Sequence, residues 1–151
     1  MKILDVCCGG KMFYFNPDSP LVTFMDIREG EVEFSEGRKI TIKPDVVGDF
    51  RAIPFYNETY DMVVFDPPHL IRAGKSSWLA KKYGVLNKET WESDLRVGFY
   101  ECFRVLKKGG VLVFKWNTEQ IPLKQVLELA IRQPLFGDKR GKTHWIVFVK
   151  G

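Results

Sequence analysis

Short apolar runs recur along the chain, and most are continuous rather than alternating. Lys2-Ile3-Leu4-Asp5-Val6, Leu21-Val22-Thr23-Phe24-Met25-Asp26, Pro44-Asp45-Val46-Val47-Gly48-Asp49, Tyr60-Asp61-Met62-Val63-Val64-Phe65 and Val111-Leu112-Val113-Phe114-Lys115-Trp116 read as buried strands. Residues 31 to 43 alternate instead, with Val32, Phe34, Ile40 and Ile42 around Ser35-Glu36-Gly37-Arg38, which predicts a hairpin where a doubly wound fold usually has a helix. Helical spacing predicts a helix over Lys88 to Lys107, with Thr90 as N-cap, Leu95, Phe99, Cys102, Phe103 and Leu106 on one face, and Gly109-Gly110 closing it. A second helix runs from Pro122 to Arg132, with proline in its first turn. Met12 to Phe15 makes a brief helical turn before Asn16-Pro17-Asp18-Ser19-Pro20. Gln133 to Phe136 is a short strand, Thr143 to Lys150 a longer one, and Asp138 to Lys142 the loop between them. Strands interleaved with helices give an α/β fold.

Acids cluster where strands end. Asp26, Asp49 and Asp66 each follow an apolar run and precede a turn, and Gly9-Gly10 follows the first strand. Ligands of open α/β sheets bind at the carboxyl ends of the strands. Two adjacent glycines let backbone pass close to a ligand. Asp26 stands 21 positions after Asp5, the spacing at which an acid at the second strand tip suits a ribose diol. Each acid alone also fits a helix cap or a solvated loop. Asp5 lies inside its own strand, and a buried acid needs hydrogen-bond donors, for which the backbone of the glycine turn is available. Asp66-Pro67-Pro68-His69 ends the fourth strand, because proline cannot donate to a ladder. Such a turn holds carbonyls rigidly beside a carboxylate, an arrangement able to grip an exocyclic amino group. Gly-x-Gly-x-x-Gly is absent, which disfavours a nicotinamide oxidoreductase.

Composition narrows the picture. A chain of 151 residues, 45% hydrophobic and 28% charged, predicts one globular domain over 1–151. No run approaches a membrane span and the start has no signal-peptide layout. Three cysteines, two of them adjacent, form neither a disulfide framework nor a zinc pattern, so no metal and a reducing cytoplasm are expected. The net charge of +4 permits a nucleic-acid partner without requiring one. Between Leu70 and Leu86, Arg72, Lys75, Lys81 and Lys82 alternate with Trp78 and Tyr83. This stretch reads either as a flap over a single strand or extruded base, or as an amphipathic surface helix with solvated lysines.

These residues together bear a family resemblance. Ile3-Leu4-Asp5-Val6-Cys7-Cys8-Gly9-Gly10, Met25-Asp26-Ile27, Gly48-Asp49-Phe50 with Ile53-Pro54-Phe55, Asp66-Pro67-Pro68-His69 and Arg104-Val105-Leu106-Lys107-Lys108-Gly109-Gly110 resemble, in order, the motifs of class I S-adenosylmethionine-dependent methyltransferases. The chain is similar in particular to compact methyltransferases of phages and prophages. The resemblance implies a Rossmann-like fold with a mostly parallel seven-stranded sheet of order 3-2-1-4-5-7-6, an antiparallel last strand and helices on both faces. It implies S-adenosylmethionine as cofactor. Asp5, Cys7 and Gly9 would meet its amino-acid part, Asp26 with Ile27 the ribose, and Asp49 with Phe50 the adenine. Asp66 with Pro67 and Pro68 would hold a target amine, as in methyltransferases acting on planar amino nitrogens, and His69 would flank the target. Trp78, Lys81, Lys82 and Tyr83 would contact the substrate. The chain departs from the family pattern at Cys7, Lys11 and His69, which stand where two glycines and an aromatic residue are usual. His69 suits either flanking of a flat acceptor or general-base work. The expected activity is methylation of a base in DNA or RNA. The alternatives are a small-molecule or protein acceptor, or a binding module without turnover.

Overall fold

A computed structural model of the chain describes every residue except Lys75, Ser76, Trp78, Leu79, Lys81 and Lys82. Its strands are β1 (Ile3–Asp5), β2 (Val22–Asp26), β3 (Gly30–Ser35), β4 (Arg38–Ile42), β5 (Val46–Val47), β6 (Tyr60–Phe65), β7 (Leu106–Asn117), β8 (Phe136–Arg140) and β9 (Thr143–Val149). Helix α1 spans Trp91–Val105, and helix α2 spans Leu123–Leu127 and passes into a 3-10 turn at Glu128–Ala130. Seven strands form one sheet in the order β5-β2-β1-β6-β7-β9-β8, while β3 and β4 pair with each other alone. Numbered without that hairpin, the order is 3-2-1-4-5-7-6. β5, β2, β1, β6 and β7 are mutually parallel, and β9 runs antiparallel to both its neighbours.

Alternation along β7 explains the layering. Leu112, Phe114 and Trp116 are 0–1% exposed and face α1. There Phe99 meets Phe65, Phe114 and Phe148 at centroid distances of 5.4, 4.8 and 6.1 Å. Leu95, Phe99, Cys102 and Phe103 are the buried stripe that the spacing predicts, so Cys102 is a core residue. The 3-10 turn packs against α1, so α1 and α2 lie on this one face. Near the site the other face is covered by the loop after β1. Tyr14 packs edge-on to Phe24 at 5.0 Å, and Phe13 edge-on to Trp145 at 5.3 Å. The two prolines of Asn16–Pro20 leave no room for a helix there.

Four local expectations are corrected. Met12 to Phe15 forms turns rather than a helical turn. Gly109-Gly110 does not close the helix. α1 stops at Val105, and both glycines lie in β7, where Gly109 takes φ +78° at a register shift opposite Tyr60 and Met62. The helix predicted to Arg132 ends two residues early, because Ile131 turns left-handed at φ +63°. Asp138, Lys139 and Arg140 are strand rather than loop. They pair with Trp145, His144 and Thr143, and an edge strand exposed along its whole length tolerates charge. No described helix is long and apolar enough to cross a membrane.

Candidate functional site at the carboxyl edge

A cleft of about 590 Å³ opens at the carboxyl ends of β1, β2 and β6. Its floor begins with the turn after β1. Gly9 adopts φ +51°, and a Cβ added there would meet no protein atom within 4 Å, so that space belongs to the cleft. Gly10 is closed from the other side. A Cβ there would collide with Ile40 Cδ1 and lie 2.6 Å from its Cγ1, so the hairpin β3–β4 seats directly on the glycine turn. The Gly9 amide donates to Asp26 Oδ2 at 2.8 Å, and the Arg28 amide to Asp26 Oδ1 at 2.9 Å. Asp26 is only 4% exposed, and its Oδ1 also accepts from Arg28 Nε at 3.4 Å.

Asp49 and Phe50 line the next stretch. The Arg51 guanidinium donates to both Asp49 oxygens, the shortest bond being 2.7 Å, and holds that carboxyl below its ordinary range. Arg51 also reaches Asp94 at 3.4 Å, which accepts from the Thr90 hydroxyl at 2.8 Å. Thr90 thus precedes α1 without a side-chain capping bond. Phe50 lies edge-on to Phe65 and against Gly98 of α1, where any Cβ would come within 2.7 Å of its ring.

The far end holds a carboxylate and an ammonium. Asp66 leaves the end of β6 beside Lys115 of β7, and their Oδ2 and Nζ are 3.4 Å apart. Burial raises the Asp66 pKa to about 6, against the opposing pull of Lys115. Lys115 also lies over the Phe13 and Trp145 rings, 5.4 and 5.6 Å from their centroids. Asp5 sits beneath the floor, fully buried. It accepts from the Cys7 amide at 3.2 Å and from the Tyr14 hydroxyl at 2.9 Å. Burial is the main cause that lifts its pKa to about 7, and the charges of Asp66 and Asp26 add to it. The same burial pushes the Cys7 thiol up, so it is no nucleophile.

The cleft thus brings together Cys7, Gly9, Asp26, Ile27, Asp49, Phe50, Asp66, Pro68 and Tyr83. Asp5 lies behind this lining rather than in it, and Pro67 and His69 do not line it either. His69 is half-buried, with its ring 6.3 Å from Tyr83 and 6.4 Å from Trp116, and burial followed by Lys115 lowers its pKa. Trp78, Lys81 and Lys82 lie outside the described residues. Sequence reasoning missed Tyr14, Arg51 and Lys115. Lys115 carried a signal, being a lone charge between the inward Phe114 and Trp116 of an apolar strand. Tyr14 and Arg51 carried none, because loop geometry brings them in. Among the described residues no group of three or more His, Cys, Asp or Glu is placed to hold a metal ion.

No protein-family model and no curated protein matches the chain. Solved structures do. A protein of Pyrococcus horikoshii OT3 is 18% identical with a TM-score of 0.65, over 99% of this chain and 82% of that one. A Thermotoga maritima SAM-dependent methyltransferase, described as a possible histamine N-methyltransferase, is 15% identical with a TM-score of 0.58 over the same shares. A TehB-like SAM-dependent methyltransferase of Corynebacterium glutamicum is 17% identical with a TM-score of 0.57, over 99% of this chain and 80% of that one. At these identities the likeness is one of fold: the chain has the Rossmann-like α/β fold seen in SAM-dependent methyltransferases, with its mostly parallel seven-stranded sheet.

Proposed function

We propose that the 151 residues act as one S-adenosylmethionine-dependent methyltransferase domain, transferring methyl to an exocyclic amino nitrogen of a base in DNA or RNA. The observation that carries this reading is the convergence of Gly9, Asp26, Phe50, Asp66 and Pro68 on one cleft at the carboxyl edge of the sheet. When bound, the cofactor supplies an electrophilic methyl group. The chain does the positioning, which can lower a barrier by several kcal/mol. The open space over Gly9 admits the cofactor against backbone. Asp26, at the tip of β2 in the cleft lining, accepts from a ribose hydroxyl. Phe50, braced on Gly98, is an apolar wall for adenine, while Asp49 anchors Arg51 beside it. Asp66, ionised above about pH 6 and paired with Lys115, can only accept hydrogen bonds. It therefore draws on the hydrogens of a target amine and leaves the nitrogen lone pair free. Proline fixes the geometry in advance, so little reorganisation is needed. His69, neutral at pH 7, bears on the acceptor side through Tyr83.

Isothermal titration with S-adenosylmethionine and its demethylated product tests the cofactor, and labelled-methyl transfer to mixed-sequence DNA and RNA tests the acceptor. The expected result is binding near micromolar that Asp26→Ala weakens at least tenfold, about 1.4 kcal/mol. A folded wild type that binds neither compound refutes the reading.

A further inference from the structure

The reversed last strand returns the chain to the edge that carries the cleft. Thr143 at the start of β9 pairs with Asn117 at the end of β7, two positions beyond Lys115, so the β8–β9 turn projects past the sheet edge. The end of β8 carries Lys139 and Arg140, and the turn carries Lys142. Lys139 pairs with His144 and Arg140 with Thr143, so these two cations sit on opposite faces of the ribbon. Both are exposed, and neither has an ion-pair partner among the described residues. Lys142 is tied to Glu119 at 2.6 Å, which neutralises one acid of this rim. Asp138 is the other acid, and its Oδ1 accepts from the Lys139 amide. The rim continues to the segment after Asp66-Pro67-Pro68-His69. Gln120 accepts from the Ile71 and Arg72 amides and donates to the Arg72 carbonyl, fixing the exposed Arg72 beside the turn. Lys139 and Arg140 thus end β8 at the carboxyl edge of the sheet, the edge that carries the cleft, with the exposed Arg72 on the neighbouring segment.

We propose that this rim docks the phosphate backbone of a nucleic acid whose base enters the cleft at Asp66; the inference rests on the methyltransferase reading and names the partner of that site. From Asp66 across β7 and β9 to Arg140 is three strand spacings and two residues, roughly 16 Å. That is about five nucleotides of one duplex strand. The cations therefore contact backbone away from the modified base, and they add affinity and register without reading sequence.

The test measures binding of a mixed-sequence 30-mer, as duplex DNA, single-stranded DNA and single-stranded RNA, from 25 to 300 mM salt, for wild type and the double variant Lys139→Ala/Arg140→Ala. The expected result is wild-type binding to at least one of the three. The slope of log affinity against log salt should then be smaller by about two in the double variant, because each phosphate left without its cation takes roughly one from the slope. Lys139→Arg/Arg140→Lys should restore the slope. An unchanged slope, or wild type that binds none of the three probes, overturns the proposal. Titration of S-adenosylmethionine on the same samples keeps the two claims apart. Both proteins should bind it equally, and failure there removes the methyltransferase reading whatever the salt slopes show.

Discussion

Asp5 makes the fold itself sensitive to pH in a direction opposite to most acids. Its carboxyl is fully buried and its pKa rises from 3.8 to about 7 on folding. Between those values the folded state holds a proton that the unfolded chain has released. Stability therefore falls as pH rises through this window, and the loss is complete above about pH 7. A rise of about three pH units at about 1.4 kcal/mol each gives about 4 kcal/mol in all, of which roughly 2 to 3 falls between pH 5 and 8. Asp5→Asn removes the titration while keeping a carbonyl for the Cys7 amide and an amide hydrogen for the Tyr14 oxygen. Urea unfolding of both proteins at pH 5 and pH 8 measures the difference. With a denaturant slope near 2 kcal/mol per molar, the wild-type midpoint should drop about 1 M more than that of the variant. Asp66 titrates in both proteins, so it cancels from the comparison. Parallel pH dependence of wild type and Asp5→Asn would show that Asp5 is already ionised in the fold at pH 5, and the argument from its burial would fail.

Other consequences are open to direct measurement. Lys115→Met should raise the Asp66 pKa by at least one pH unit from about 6, read from carboxyl carbon shifts in a pH titration; an unmoved titration would remove the pair from the site. Gly98→Ala adds a good helix former to α1 yet places a Cβ 2.7 Å from the Phe50 ring, so it should lose about 1 to 3 kcal/mol in thermal unfolding and weaken cofactor binding in titration. Gly10→Ala should destabilise by a similar amount, and Ile40→Ala should relieve most of that cost in a double-mutant cycle, since the two side chains claim one space. Arg104 bonds the carbonyls of Ile53 and Phe55 together with Asn57 and Glu101, so Arg104→Ala should cost about 2 to 4 kcal/mol of stability by denaturant titration.

Most of the sheet was legible because its inner strands are decided locally. A run such as Met62-Val63-Val64-Phe65 cannot be solvated, and its terminal Asp66-Pro67-Pro68 stops the ladder wherever the strand lies. The hairpin β3–β4 was legible from alternation alone. What stayed hidden depends on contacts between distant segments. The polar stretch Asp138–Arg140 becomes a strand only because Trp145, His144 and Thr143 offer a ladder to an exposed edge. The long β7 likewise absorbs Gly109-Gly110 through pairing with Lys150 and a register shift against β6, which no helix-ending rule anticipates.

The same distinction separates the acids of the site from their partners. Asp26, Asp49 and Asp66 are marked by position, since each follows a strand. Their donors are not marked, because Gly9, Arg51 and Lys115 arrive from a turn, a loop and a neighbouring strand. Tyr14 shows why this matters. It lies in a segment too broken by proline to fold as a helix, yet it roofs the sheet face at Phe24 and is the one side-chain donor to Asp5 among the described residues. Two aromatic side chains of one loop, Phe13 and Tyr14, cover that face at the site and also touch the groups that set its charge, Lys115 and Asp5. Packing and electrostatics there cannot be altered independently, so a substitution that loosens the loop shifts the titration of the floor as well.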